Sequence, residues 1–192
     1  MPIQKITSGV IDGTTTFANT AISGTITASQ IATVNASTVT TGTLPGARLP
    51  TGSILQVISS TNITNTTTSG GTYVDTGLTA SITPLFSTSK ILVLISANVG
   101  CSGYNAGFNG ITEIQIVRAS TSIYVSQLST YNYASGSGGI SCNVPAAMSY
   151  VDSPATTSST TYKIQFKNTS GSSAYFNDGS SDSTITLMEI AQ

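Results

Sequence analysis

The chain has 192 residues and a net charge of −1, and only 7% of its residues are charged, against roughly a quarter in an ordinary soluble domain. That balance leaves no basic footprint for nucleic acid or an anionic membrane. Disorder of the whole chain is also excluded, because 39% of residues are apolar and disordered segments pair low hydrophobicity with high net charge.

Thr and Ser make up about a third of the residues. Low-charge, Thr-rich chains of this kind suit strand-rich assemblies whose edges are covered by partner chains. No charged start followed by a long apolar run is present, so neither a signal peptide nor a membrane span is expected. The longest apolar run, Ile91–Ile95, is strand-sized. The expectation is synthesis in the cytoplasm without a signal-peptide route.

Residues 1–41 read as an extended Thr/Ser-rich arm. From here into the next segment, apolar residues recur at Ile22, Ile26, Ile31, Val34, Val39, Leu44 and Leu49, the last four spaced by fives. This is neither the 3.6 period of a helix nor the 2.0 period of a half-buried strand. One apolar residue per unit cannot bury itself in a single chain. It can do so if several copies wind round one axis, or if the arm lies across another protein, and these seven residues are therefore the candidate docking positions. Residues 42–52 form a collar built on GTLPGARLP, whose two prolines fix φ and remove backbone donors.

From residue 53 to 192 the pattern becomes short strands separated by turn clusters. SILQVIS (53–59) is apolar nearly throughout, as in a strand covered on both faces. TNITNTTTSGG (61–71) reads as a polar loop. TYVDTGLTASITP (72–84) holds two strands around a turn at Asp75–Gly77. KILVLISANVG (90–100) is the most apolar segment, with Leu94 expected at the bottom of the core. TEIQIVR (112–118) alternates, with Ile114 and Ile116 on one face and Glu113 and Gln115 on the other. SIYVSQL (122–128) follows a tight turn and predicts a hairpin. AAMSYVD (146–152) is another strand. TYKIQFKN (161–168) places Tyr162, Ile164 and Phe166 inside. SAYFND (173–178) and STITLMEIAQ (183–192) complete about nine strands and no helix. The expected fold is all-β, an extended arm followed by a jelly-roll-like antiparallel β-sandwich knob.

Little here points to catalysis. The chain has no His, which removes Ser-His-Asp and Cys-His chemistry and the commonest zinc ligand. No G-x-S-x-G elbow or Gly-Lys phosphate loop appears. The seven acids are scattered, and only Asp178 and Asp182 lie close in sequence. NDGSSD (177–182) offers oxygens for calcium, but a glycine turn between strands is the favoured reading. Cys101 and Cys142 allow one bridge, and two reduced thiols are favoured by cytoplasmic synthesis. The expectation is therefore no enzyme, no cofactor and no bound metal. The better lead is aromatic: Tyr104 and Phe108 in GCSGYNAGFNG, and Tyr131 and Tyr133 in TYNYASGSGG. Glycine-rich loops on a rigid scaffold often carry recognition, so these rings either stack on a surface polysaccharide or pack within an assembly.

ITASQI followed by GTLPGARLP resembles the stems of bacteriophage tail-fibre and other virion-surface proteins. GSILQV, YVDTGLTASITP, SKILVLISANV and the closing TITLMEIAQ resemble a knob domain common in phage structural proteins. The resemblance implies a homotrimer with a threefold stem and a jelly-roll knob, similar to tumour-necrosis-factor-like trimers and placed on the virion surface. Two functions fit that expectation. One is a capsid decoration (cement) protein docked by its arm on other virion proteins. The other is a short tail-fibre receptor-binding protein recognising host-surface glycan.

Overall fold

Alternating β-branched and polar residues build ten strands among the residues described by the computed structural model, which are 45–103, 108–132, 140–178 and 181–192. The strands are β1 (Ile54–Asn62), β2 (Thr66–Thr68), β3 (Val74–Ile82), β4 (Lys90–Gly103), β5 (Phe108–Arg118), β6 (Thr121–Asn132), β7 (Ile140–Asp152), β8 (Thr160–Ser170), β9 (Ser173–Phe176) and β10 (Ser183–Ile190). The only helical piece among the described residues is a single 3-10 turn at Gly46–Arg48 in the collar, entered through Pro45 at φ −56°. All described residues fall within one unit, Leu44–Gln192.

The strands form two antiparallel sheets. In the six-stranded sheet, β1 pairs β10 and β10 pairs the first half of β4. β9 and then β2 continue from the second half of β4, and β7 runs along its other side. The four-stranded sheet has the order β3-β8-β5-β6. Eight strands in the order 1-10-4-7 and 3-8-5-6 constitute the expected jelly roll, with β2 and β9 added beside it.

The core lies between the sheets. Ile91, Val93, Ile95 and Val99 of β4, with Ile185 and Leu187 of β10, meet Ile114 and Ile116 of β5 and Tyr162, Ile164 and Phe166 of β8. The rings of Phe166 and Phe176 tilt together at 5.9 Å between centroids. Polar bonds close both sides of the sandwich. On one side Asn62 Nδ2 donates to the Thr76 carbonyl (2.6 Å) and Gln56 Nε2 to the Thr83 carbonyl (2.8 Å). On the other, Arg118 Nη1 donates to both oxygens of the buried Asp152 (2.8 and 2.9 Å), and the Tyr162 hydroxyl donates to Oδ2 at 2.7 Å. Burial, then the Asp152 carboxylate, pushes the Tyr162 hydroxyl pKa far up, so it stays a donor.

Four expectations need correction. Leu94 is half-buried on the outer face, because β4 points Ile91, Val93 and Ile95 inward and alternation sends Leu92 and Leu94 the other way. Residues 53–59 are not covered on both faces: β1 is an edge strand, and Ile54 and Val57 are 56% and 51% exposed. The polar loop after β1 contains the short strand β2, which pairs β9. Residues 74–82 form one strand with a bulge between Asp75 and Thr79, not two strands. Gly77 carries that bulge at φ +82°, and a Cβ there would meet Asn62 Nδ2 at 2.8 Å. Elsewhere the expected facing holds, with Ile114, Ile116, Tyr162, Ile164 and Phe166 all buried.

Neighbouring truncations in β4 should therefore differ. Ile95→Ala should lower the unfolding free energy by about 2–5 kcal/mol, as for a filled core site, and Leu94→Ala by about 1 kcal/mol in the separated chain. Urea unfolding of both variants checks this; a larger loss for Leu94→Ala would contradict the facing.

Candidate functional site

The sandwich has two outer faces of opposite chemistry. On the four-stranded sheet, ionic and amide groups form paired ladders. Glu113 accepts from the Tyr73 hydroxyl and from Gln127 Nε2 (2.8 Å), and pairs with Lys167 Nζ at 2.9 Å. Lys167 also lies 4.5 Å from the centre of the Tyr73 ring. Next to this cluster, Lys163 Nζ pairs with Asp75 at 2.9 Å, Gln165 Nε2 donates to Asp75 (2.8 Å), and Gln115 Nε2 donates to Gln165 (2.7 Å).

The six-stranded sheet is different. Its cross-strand register aligns Val57, Met188, Leu92 and Val151 in one row across β1, β10, β4 and β7. Directly opposite residues share a face. The row on one side is Ile54, Ile190 and Lys90; the row on the other is Ser59, Thr186, Leu94 and Ser149. Lys90, at the rim, is the one charged side chain in these rows. Val57 and Val151, at the two ends of the central row, are about half exposed. Half-covered aliphatic side chains such as these each have about 1 kcal/mol to gain from being covered.

The seven docking positions divide unevenly. Ile22, Ile26, Ile31, Val34, Val39 and Leu44 lie outside the described residues. Leu49 lines a hollow of about 220 Å³ with Gly46, Ala47, Phe86 and Ala191. The chain leaving that hollow joins the C-terminus through the pair Gly52 N to Ala191 O and Ala191 N to Ser53 O, both 2.9 Å. The adjoining loop is pinned by buried Glu189, which accepts from Gln56 Nε2 and the Leu85 amide.

Of the aromatic candidates, Tyr104 and Tyr133 lie outside the described residues, and Phe108 and Tyr131 are placed by backbone alone. Phe108 pairs with Asn132 and Tyr131 with Asn109 at one end of the β5–β6 hairpin. Gly103 pairs with Ile140 at the end of the β4–β7 ladder. The strand ends flanking 104–107 and 133–139 thus belong to two ladders that exchange chain between the sheets at both segments. In NDGSSD, of which 179–180 lie outside the described residues, Asp178 accepts from Asn65 (3.2 Å) and Asn143 (3.0 Å), and the buried Asn177 sits at φ 61°. No group of three His, Cys, Asp or Glu among the described residues is arranged to hold a metal. No helix among them is long and apolar enough to cross a membrane.

The apolar row was not read from sequence as a site. Its signal was present in ILVLI (91–95), which is apolar at both parities and so cannot leave either face polar.

No protein-family model and no curated protein matches the sequence. Among solved structures, the chain is similar to the VP2 subviral particle of infectious bursal disease virus, at 13% identity and a TM-score of 0.32. It is also similar to the Gx strain of that virus (14%, 0.33) and to its T13 viral particle (13%, 0.30). Each alignment covers 71% of this chain and 35–37% of the other, so the chain spans little more than a third of their length. At such TM-scores the functional reading rests on the residues themselves.

The ionic face sets the pH response. Hydrogen bonds from Lys167, Tyr73 and Gln127 hold the Glu113 carboxyl down at about 2, and Lys163 holds Asp75 low. At Glu189 burial alone would raise the pKa, but the bonds from Gln56 and the loop amides outweigh it and the net shift is downward. Depressed carboxylates contribute stability that is complete above a pH of about 4.5 and is lost as pH falls toward the folded value. Burial and Glu113 push Tyr73 up to about 12, so its contribution is complete below a pH of about 10 and lost above. With no His to titrate, the urea midpoint should be flat between about pH 6 and 8 and fall below about 4.5. Glu113→Gln should cost about 1–3 kcal/mol at pH 7 and shallow the acid limb. An unchanged acid limb in that variant would contradict the assignment.

Proposed function

We propose that this chain is a non-enzymatic bacteriophage virion structural protein, a homotrimeric surface knob docked by its N-terminal arm on other virion proteins, and that its role is capsid decoration. The observation that carries the reading is the uncharged apolar row Val57–Met188–Leu92–Val151 on a protein that places paired charges on its opposite face. Apolar, charge-depleted patches of this kind mark protein-binding surfaces. Pro145 lies within the edge strand β7 and has no backbone donor, which disfavours edge-to-edge pairing along β7. The apolar row itself lies on the face of the sheet, so a partner that covers it docks face-on. Three copies follow from the resemblance of the arm and collar to threefold stems, and the same repeat needs neighbours to bury its apolar positions.

A second reading has one observation in its favour. The strand ends flanking 104–107 and 133–139 lie on ladders that meet the same pair of crossovers, and four aromatic residues fall on or beside those segments. Aromatic residues at or beside the ends of strands in a rigid sandwich suit a short tail-fibre tip that binds host polysaccharide.

The two readings separate in a paired binding assay with labelled full-length protein on capsids stripped of surface proteins and on intact host cells. Decoration predicts saturable capsid binding that is lost without residues 1–41, while the truncated knob keeps its circular dichroism spectrum. Binding to cells alone, competed by surface polysaccharide and lost on Tyr131→Ala, would replace decoration with host attachment.

A further inference from the structure

The chain's only two cysteines are 41 positions apart in sequence, and the fold sets them face to face. Cys101 of β4 and Cys142 of β7 are direct cross-strand partners in a ladder that runs without a register shift from Ile91↔Asp152 to Gly103↔Ile140. Cys101 is also held from its other side by Ala174 of β9, so its position in the sheet is set twice. Alternation along β4 sends Ala97, Val99 and Cys101 toward the interior, and Cys101 is 2% exposed. As a direct partner, Cys142 shares that face, and its place on the edge strand leaves it half-buried. Opposed residues in an antiparallel ladder have Cα atoms about 4.5 or 5.5 Å apart, and both spacings lie within the roughly 4.4–6.8 Å that a disulfide spans.

We propose that Cys101 and Cys142 form a redox-closed staple: a dithiol in a reducing cytoplasm that becomes an intramolecular disulfide in an oxidising medium. The oxidant is a small-molecule disulfide such as oxidised glutathione. The more exposed Cys142, as thiolate, attacks one sulfur of that disulfide and expels the first glutathione thiolate, leaving a mixed disulfide on Cys142. Cys101, as thiolate, then attacks the Cys142 sulfur and expels the second. Two protein thiols are oxidised, one disulfide is reduced to two thiols, and the two protons pass to solvent or to the departing thiolates.

The bridge would lock β4 to β7 close to the strand ends that flank 104–107 and 133–139. It would thereby tie down the end of the knob where the chain crosses twice between the sheets. Closure upon release from the cell rests on the virion reading; closure itself rests only on the ladder.

Full-length protein is equilibrated in reduced and in oxidised glutathione buffers, quenched with acid, and read by thiol titration, intact mass and peptide mapping. The expected result is loss of both thiols, a monomer-chain mass lower by two hydrogen atoms, and one peptide pair joining Cys101 to Cys142. The oxidised form should unfold at a temperature about 5 °C or more higher. Cys142→Ser, at the half-buried position, should fold and lose the redox-dependent shift. Retention of both thiols in the oxidised buffer, or bridges only between chains, would overturn the proposal. A chain that closes the bridge yet never trimerises supports the staple and counts against the virion reading alone.

Discussion

The architecture depends on a strand that is apolar on both of its faces. In β4, Ile91, Val93 and Ile95 fill the core while Leu92 and Leu94 lie on the opposite side of the same sheet. A sandwich can cover only one face of each of its sheets. The inner face is satisfied by β5 and β8, and the outer face has only its in-plane neighbours, Met188, Thr186, Val151 and Ser149. The row these residues make is thus a consequence of the central strand's composition, and in the proposed assembly it is the face that remains to be covered.

The sparse charges are arranged consistently with that demand. Asp75, Glu113, Lys163 and Lys167 are paired on the four-stranded sheet, away from the apolar row. Arg118 and Asp152 are used as a clip between the sheets, where removing Arg118 would leave the buried Asp152 carboxylate without its cation. Glu189, fully buried, serves to tie the 84–89 loop to β10 and β1. A surface solvated largely by Thr and Ser hydroxyls completes the picture, since hydroxyls can face water or another protein at small desolvation cost compared with charges.

How much of this was legible in the sequence varied with the kind of signal. Strands such as 112–118 and 161–168 alternate apolar and polar residues, so their facing could be read from the period alone. ILVLI carries no polar punctuation, so its period does not say which parity joins the core; the tertiary packing that buries Ile91, Val93 and Ile95 leaves Leu94 on the outer face. Thr66–Thr68 has too few residues and no apolar one, so its pairing with β9 was invisible. Gly77 reads as a turn and proves to be a bulge, because both conformations ask for positive φ. The opposition of Cys101 and Cys142 is a long-range register property that no local pattern contains. Of the docking repeat, only Leu49 falls among the described residues, and it lies in a hollow beside Phe86.

The central proposal is a homotrimer, and within it the outer face of the six-stranded sheet would be covered by neighbouring copies. Its most direct test is the solution mass of the full-length chain by light scattering, beside that of Leu92→Lys, which sets a charge in the middle of the apolar row. The account predicts a trimer for the natural sequence, and for the variant a monomer with an unchanged far-ultraviolet spectrum. A natural chain that is monomeric at micromolar concentration, or a variant that remains trimeric, would contradict it.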